Sequence, residues 1–157
     1  MSNLIRDLLE KQAKDYPDKP AIIFQDSPIS FLELRNNVFK LANNLLKYGV
    51  QKGDKVALFL PNWPEYIYSY LALFSIGATV VPFDFMLKND ELEVCLNHCE
   101  AKLLIAKSKE DVFLESIKEH VSSLKDIMLI QEEKQGYLSF QDFMKNPSTA
   151  APSIKIE

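Results

Sequence analysis

The chain has 157 residues, 47% of them hydrophobic and 25% charged, a balance that excludes a disordered segment and fits one soluble globular domain. A domain of this length buries roughly 68–70% of its unfolded surface. The formal charge is −4, with Lys and Glu mixed along the whole length; no basic stripe forms, which argues against nucleic acid as a partner.

The predicted elements alternate. Apolar residues at Ile5, Leu8, Leu9 and Tyr16 predict a first helix over residues 3–15, and the two prolines of "YPDKP" end it. Charges at Arg6, Asp7, Glu10 and Lys11 argue against a secretory leader here, and the expected compartment is the cytoplasm. "AIIF" predicts a strand at 21–24 and "DSPIS" a turn. Ser30 and Glu33 form a capping box for a long helix that Gly49 ends. "KVALFL" at 55–60 is continuously apolar, the pattern of a strand covered on both faces in a parallel sheet.

Asn62, with Glu65 three residues on and Pro64 in the first turn, predicts the next helix start. That helix is expected to be buried nearly all round, and "ATVVPF" at 78–83 is expected to be a strand. The uncharged run 66–83 sits at the lower edge of transmembrane length. Gly77 and Pro82 interrupt it, so a buried helix followed by a strand is the better reading. Further on, the pattern predicts a helix at 89–98, a strand at 102–106, and a helix capped by Ser108 and Asp111 and running to about Val121. A strand at 126–130 and a short helix at 139–145, capped by Ser139, complete it. The Pro/Ser/Ala-rich residues 147–157 read as a linker after a domain of residues 1–146. The expected fold is α/β, a mostly parallel, Rossmann-like sheet covered by helices on both faces.

Chemistry is sparse. Cys95, His98 and Cys99 share one predicted helix, but zinc needs three or four ligands and the other histidine, His120, lies in a different element. Small apolar contributions to the core are the ordinary role of such thiols. A phosphate-cradling loop needs clustered glycines between a strand and a helix. The four glycines are scattered, and the strand-to-helix loop "PNWPE" contains two prolines and none of them. GxSxG and HExxH are absent. No catalytic, cofactor-binding or metal-binding residue is assigned.

The segments "YPDKPAIIF", "SFLELRNNVFKLANNLLKYGVQKGDKVALFLPNWPEY", "LALFSIGATVVPF" and "LNHCEAKLLIA" resemble, in order and spacing over residues 4–105, the start of the adenylate-forming acyl-CoA synthetases. That superfamily includes fatty-acyl-CoA ligases, acetyl-CoA synthetases, 4-coumarate ligases and luciferases. The resemblance implies an N-terminal fragment of an AMP-forming acid–CoA ligase, a fatty acid being the expected substrate. In the full enzyme ATP, Mg²⁺ and CoA would convert the acid to acyl-CoA, AMP and pyrophosphate. The family's phosphate-gripping and catalytic motifs have no counterpart here, so the fragment is expected to be inactive alone and its partner to be the remainder of the synthetase chain. Where many members read Pro-Leu-Asn-Pro, this chain reads "PFDF" at 82–85. Trp63, Tyr66, Tyr70, Phe83 and Phe85 form an aromatic group that lines a substrate cleft in one reading and is plain core in the other. The competing expectation is a stand-alone acyl-binding or protein-interaction domain on this fold, with self-association through exposed apolar surface as a further possibility.

Overall fold

Five parallel strands, ordered β4-β3-β5-β6-β7, form the frame of the computed structural model, which describes residues 4–145 and 148–154. They are β3 (Lys55–Phe59), β4 (Thr79–Pro82), β5 (Leu103–Ala106), β6 (Asp126–Leu129) and β7 (Leu138–Ser139). The register sets Val56 beside both Val80 and Leu103, Leu103 beside Asp126, and Met128 beside Leu138.

Because side chains alternate along a strand, β3, β5 and β6 each feed two cores. Val56, Leu58, Leu103, Ile105 and Met128 face α1 (Ile5–Asp15), α2 (Phe31–Tyr48), α3 (Pro64–Ser75) and α6 (Phe140–Met144). Ala57, Phe59, Leu104, Ala106, Ile127 and Leu129 face α4 (Asn89–Cys99) and α5 (Leu114–His120). The continuous "VALFL" run is thus buried on both sides. Each fully buried leucine or phenylalanine contributes about 1.5–3 kcal/mol.

Helix α2 is capped as its sequence predicts. Ser30 Oγ accepts from the Glu33 N–H, and Glu33 Oε2 accepts from the Ser30 N–H at 2.8 Å. Gly49 ends it at φ 106°, a left-handed conformation that any side chain would strain. The uncharged run 66–83 divides into α3 and β4; its buried Ser69 and Ser75 hydroxyls donate to the carbonyls of Glu65 and Leu71, each at 2.7 Å. Among the described residues no helix is long and apolar enough to cross a membrane.

Several expectations are corrected. "DSPIS" is not a turn: β2 (Ser27–Ser30) pairs antiparallel with β1 (Pro20–Phe24). The turn is Gln25-Asp26, both at positive φ (48° and 61°), the two-residue hairpin geometry that matches strand twist. Pro28 is tolerated because β2 is an edge strand. Asn62 does not cap α3; the N-cap is Trp63, without a side-chain bond, because Pro64 fixes the first helical φ one residue later. Glu65 turns instead to Gln131, whose amide donates to it at 3.0 Å. Ser108 and Asp111 do not open α5; Asp111 pairs with Lys109 at 3.2 Å, and the helix begins after Phe113, whose N–H donates to Asn89 Oδ1. Helix α3 is not buried all round: Ile67 and Phe74 are exposed on its outer face. In α1, Leu9 and Ala13 enter the core, while Ile5, Leu8 and Tyr16 stay exposed.

The tail of residues 149–154 carries no helix or strand but is held to the helices. Arg35 donates to Thr149 O at 2.8 Å, Asn43 to Ala150 O at 2.9 Å, and Arg6 to both Pro152 O and Ile154 O. The expected boundary at 146/147 and the start of the first helix at Asn3 lie outside the described residues.

Candidate functional site

The loop leaving β3 enters α3 on one face of the sheet, whereas the loop leaving the neighbouring β4 enters α4 on the other. Adjacent strands whose connections part in this way open a crevice beyond their carboxyl ends, the usual ligand position in open α/β sheets. A cleft of about 510 Å³ occupies this crevice, within the size range of small-molecule sites. Leu60, Pro61 and Asn62 from the β3 exit, and Pro82 and Phe83 to Met86 from the β4 exit, line it together with Tyr66.

Three of the five aromatic residues singled out in the sequence meet here: Tyr66, Phe83 and Phe85. Phe85 packs on the buried Phe59 of β3, with ring centroids 4.9 Å apart. Tyr66 stacks on Tyr70 at 5.9 Å, and Tyr70 meets Phe74 edge-on at 4.8 Å. Tyr70 therefore braces Tyr66 from outside the cleft. Trp63 lines a neighbouring groove with Ile22 to Phe24, and its ring lies 6.2 Å from that of Phe24. The structure thus divides the aromatic group: three cleft walls, one brace and one residue next door.

One cation stands at the neighbouring groove and one at the cleft. Lys107 Nζ lies 5.0 Å from the Trp63 ring and Lys109 Nζ lies 5.8 Å from the Phe85 ring, cation–π distances that orient both ammonium groups over aromatic faces. Lys109 is also engaged by Leu87 O and Asp111. Asp84 Oδ1 accepts from the Met86 N–H at 2.9 Å, which fixes the β4 exit turn. Burial, and then neighbouring Tyr70, push the Tyr66 hydroxyl above the ordinary phenol range, so it stays neutral and able to donate. Sequence reasoning missed Asp84 and Met86 as lining. Their signal was positional, since both follow the carboxyl end of β4.

The β3 exit loop offers a phosphate few free N–H donors. Pro61 and Pro64 have no N–H to offer, and those of Trp63 and Tyr66 donate to Pro61 O and Trp63 O. Among the described residues no group of three His, Cys, Asp or Glu side chains could hold a metal ion. Cys95 and Cys99 are free, and burial raises the Cys99 thiol above its usual range.

The chain matches the family described as AMP-binding enzyme over residues 9–153. It is 31% identical over 153 residues to a long-chain-fatty-acid–CoA ligase of Bacillus subtilis, a match covering 98% of this chain and 27% of that protein. A crotonobetaine/carnitine–CoA ligase of Escherichia coli is 34% identical over 132 residues, covering 80% of this chain and 26% of its own length. Among solved structures, an anthranilate CoA ligase in complex with anthranoyl-AMP superposes with a TM-score of 0.86 at 29% identity, over 94% of this chain and 29% of its own. The chain spans less than a third of the length of each.

Proposed function

The chain belongs to the AMP-binding enzyme family, and from that premise we propose that it is the N-terminal part of an AMP-forming acid–CoA ligase, supplying one wall of the acid-binding cleft. The observation that carries this reading is the cleft between the β3 and β4 exits, with Tyr66, Phe83 and Phe85 on its aromatic side. Tyr70 stands behind that wall as its support, and Trp63 lies in the neighbouring groove. The aromatic side of this mixed polar and apolar lining suits the hydrocarbon part of a fatty acid, whose burial stabilises the complex by about 0.8 kcal/mol per CH₂.

In this reading the chain takes no part in activating the acid. Bringing a carboxylate to a polyphosphate requires positioned N–H donors or cations to offset the joined negative charge; in the β3 exit loop Pro61 and Pro64 have no N–H, and those of Trp63 and Tyr66 are already bonded. ATP, Mg²⁺ and CoA therefore belong to the remainder of the ligase polypeptide, and the 157-residue chain alone is inactive. We place the protein in the cytoplasm, where its two free thiols stay reduced. The test is acid-, ATP- and CoA-dependent AMP formation by the polypeptide encoded by the continued reading frame, beside the 157-residue chain. Activity of the first and none of the second supports the reading. Turnover by the short chain, or none by the long one with any fatty acid, overturns it.

A further inference from the structure

Among the described residues, Gln25, Asp26, Glu100 and Gln131 adopt positive φ without being glycine. Gln25 and Asp26 turn the β1–β2 hairpin, and Glu100 closes α4 as its C-cap. Gln131 forms neither a hairpin turn nor a helix cap. It stands just past the end of β6 at φ 54°. Left-handed backbone strains any residue that carries a Cβ, and glycine would avoid that strain.

The Gln131 side chain crosses to a distant element. From the far side of β5, its Nε2 donates to Glu65 Oε1 at 3.0 Å. Glu65 lies in the first turn of α3, a helix end that no side chain caps. Its other oxygen, Oε2, is buried and has no hydrogen-bond partner among the described residues, which is a second destabilising feature at the same contact. Local strain of this kind persists where the surrounding structure imposes it, and it gathers at ligand-binding positions. Trp63 precedes Glu65 by two residues and Tyr66 follows it directly. Tyr66 lines the cleft, whereas Glu65 and Gln131 do not.

We propose that Gln131 is a positioning residue of the cleft: its amide fixes Glu65, and so sets the first turn of α3 where Tyr66 forms the wall. It acts through Glu65 and touches no substrate. The proposal deepens the ligase reading and rests on it for the acid that the cleft receives. Glycine at this position would relieve the backbone but could not hold Glu65, so stability and cleft geometry make opposite demands here.

The test uses Gln131→Gly, which removes the amide and relaxes the backbone. A double variant, Glu65→Gln with Gln131→Glu, exchanges donor and acceptor and restores the bond. Trp63 is the chain's one tryptophan, so its fluorescence reports on this helix start. In the 157-residue chain, Gln131→Gly should raise acrylamide quenching of Trp63 about twofold and leave the urea midpoint unchanged, the relaxed backbone offsetting the lost bond. In the polypeptide that carries the activity, it should raise the KM for the acid about threefold or more, with kcat and the KM for ATP unchanged. The double variant, unlike Gln131→Glu alone, should restore both readouts. Unchanged quenching overturns the proposal, as does a double variant no better than Gln131→Glu. A lowered midpoint with both KM values raised together also overturns it, because the bond would then serve the fold as a whole. An active ligase whose Gln131→Gly variant keeps its KM for the acid sinks the positioning role alone. A parent polypeptide that turns over no acid sinks the ligase reading, and the quenching of Trp63 then decides whether Gln131 sets the start of α3.

Discussion

The rings of Phe59 and Phe85 lie 4.9 Å apart at an interplanar angle of 43°. Phe59 belongs to the fully buried core of β3 and Phe85 to the cleft wall beyond β4. The wall is therefore rooted in the sheet. Phe59→Ala should cost about 3–5 kcal/mol, and Phe85→Ala, which is half-buried, about 1–2 kcal/mol. Urea denaturation of the two variants checks the order; equal losses would mean that Phe85 is core and not wall.

In the polypeptide that carries the activity, Tyr66→Ala, Phe83→Ala and Phe85→Ala should raise the KM for the acid several-fold and leave the KM for ATP within about twofold. Tyr70→Phe keeps the stacked ring and should change neither. A parallel rise in both constants would place these rings in the general fold.

Asp54 joins the α2–β3 turn to β5. Its carboxylate pairs with Lys102 and accepts from the Gln51 N–H at 2.7 Å. Burial pushes this carboxyl upward, but the hydrogen bonds from Lys102 and Gln51 outweigh it and hold the group below its ordinary range. A folded-state value below the unfolded one contributes stability that is fully present above the unfolded value near pH 4 and lost as pH falls through the folded one. Asp54→Asn should flatten the acid limb of the stability curve below about pH 4 and lower the plateau above it. An unchanged acid limb would refute the linkage.

The Tyr48 hydroxyl donates to Asp126 Oδ2 at 2.5 Å, tying the end of α2 to the start of β6. Burial and then the Asp126 carboxylate raise the phenol far above its usual range, so no titration is expected below pH 10. Tyr48→Phe should destabilise by about 1–2 kcal/mol, a charge-assisted bond reduced by partial exposure. A loss under a few tenths would assign the Tyr48 contribution to its ring contact with Phe143.

Arg35 ties three segments together: a bidentate pair with Glu10 of α1, a cation–π contact with Phe39 of its own helix, and a bond to Thr149 O. Arg35→Ala should speed proteolytic cleavage within residues 149–154 at least tenfold and leave cleavage near β5 unchanged. Uniform acceleration would show global destabilisation in place of a local strap.

The helices and parallel strands were legible because each carries its own period or its own cap: Ser30 with Glu33, Gly49, and the unbroken "VALFL". The β1–β2 hairpin was not, since Gln25-Asp26 contains no glycine and Pro28 reads as a stop. Strand β7 is two residues long and exists through its pairing with β6. The start of α5 was misplaced because Asp111 found Lys109 in space. At the cleft, the sequence offered five aromatic residues without saying which would meet. The opposite departures of the β3 and β4 connections brought Tyr66, Phe83 and Phe85 together and left Tyr70 and Trp63 outside. That division is a property of topology, which no local pattern carries.

The most direct measurement is to read the source locus in frame beyond the codon for Glu157. The account predicts several hundred further codons, beginning with a Ser/Thr/Gly-rich loop suited to phosphate. A stop codon at that point would contradict it, and would make the chain a stand-alone module whose cleft must be explained by binding alone.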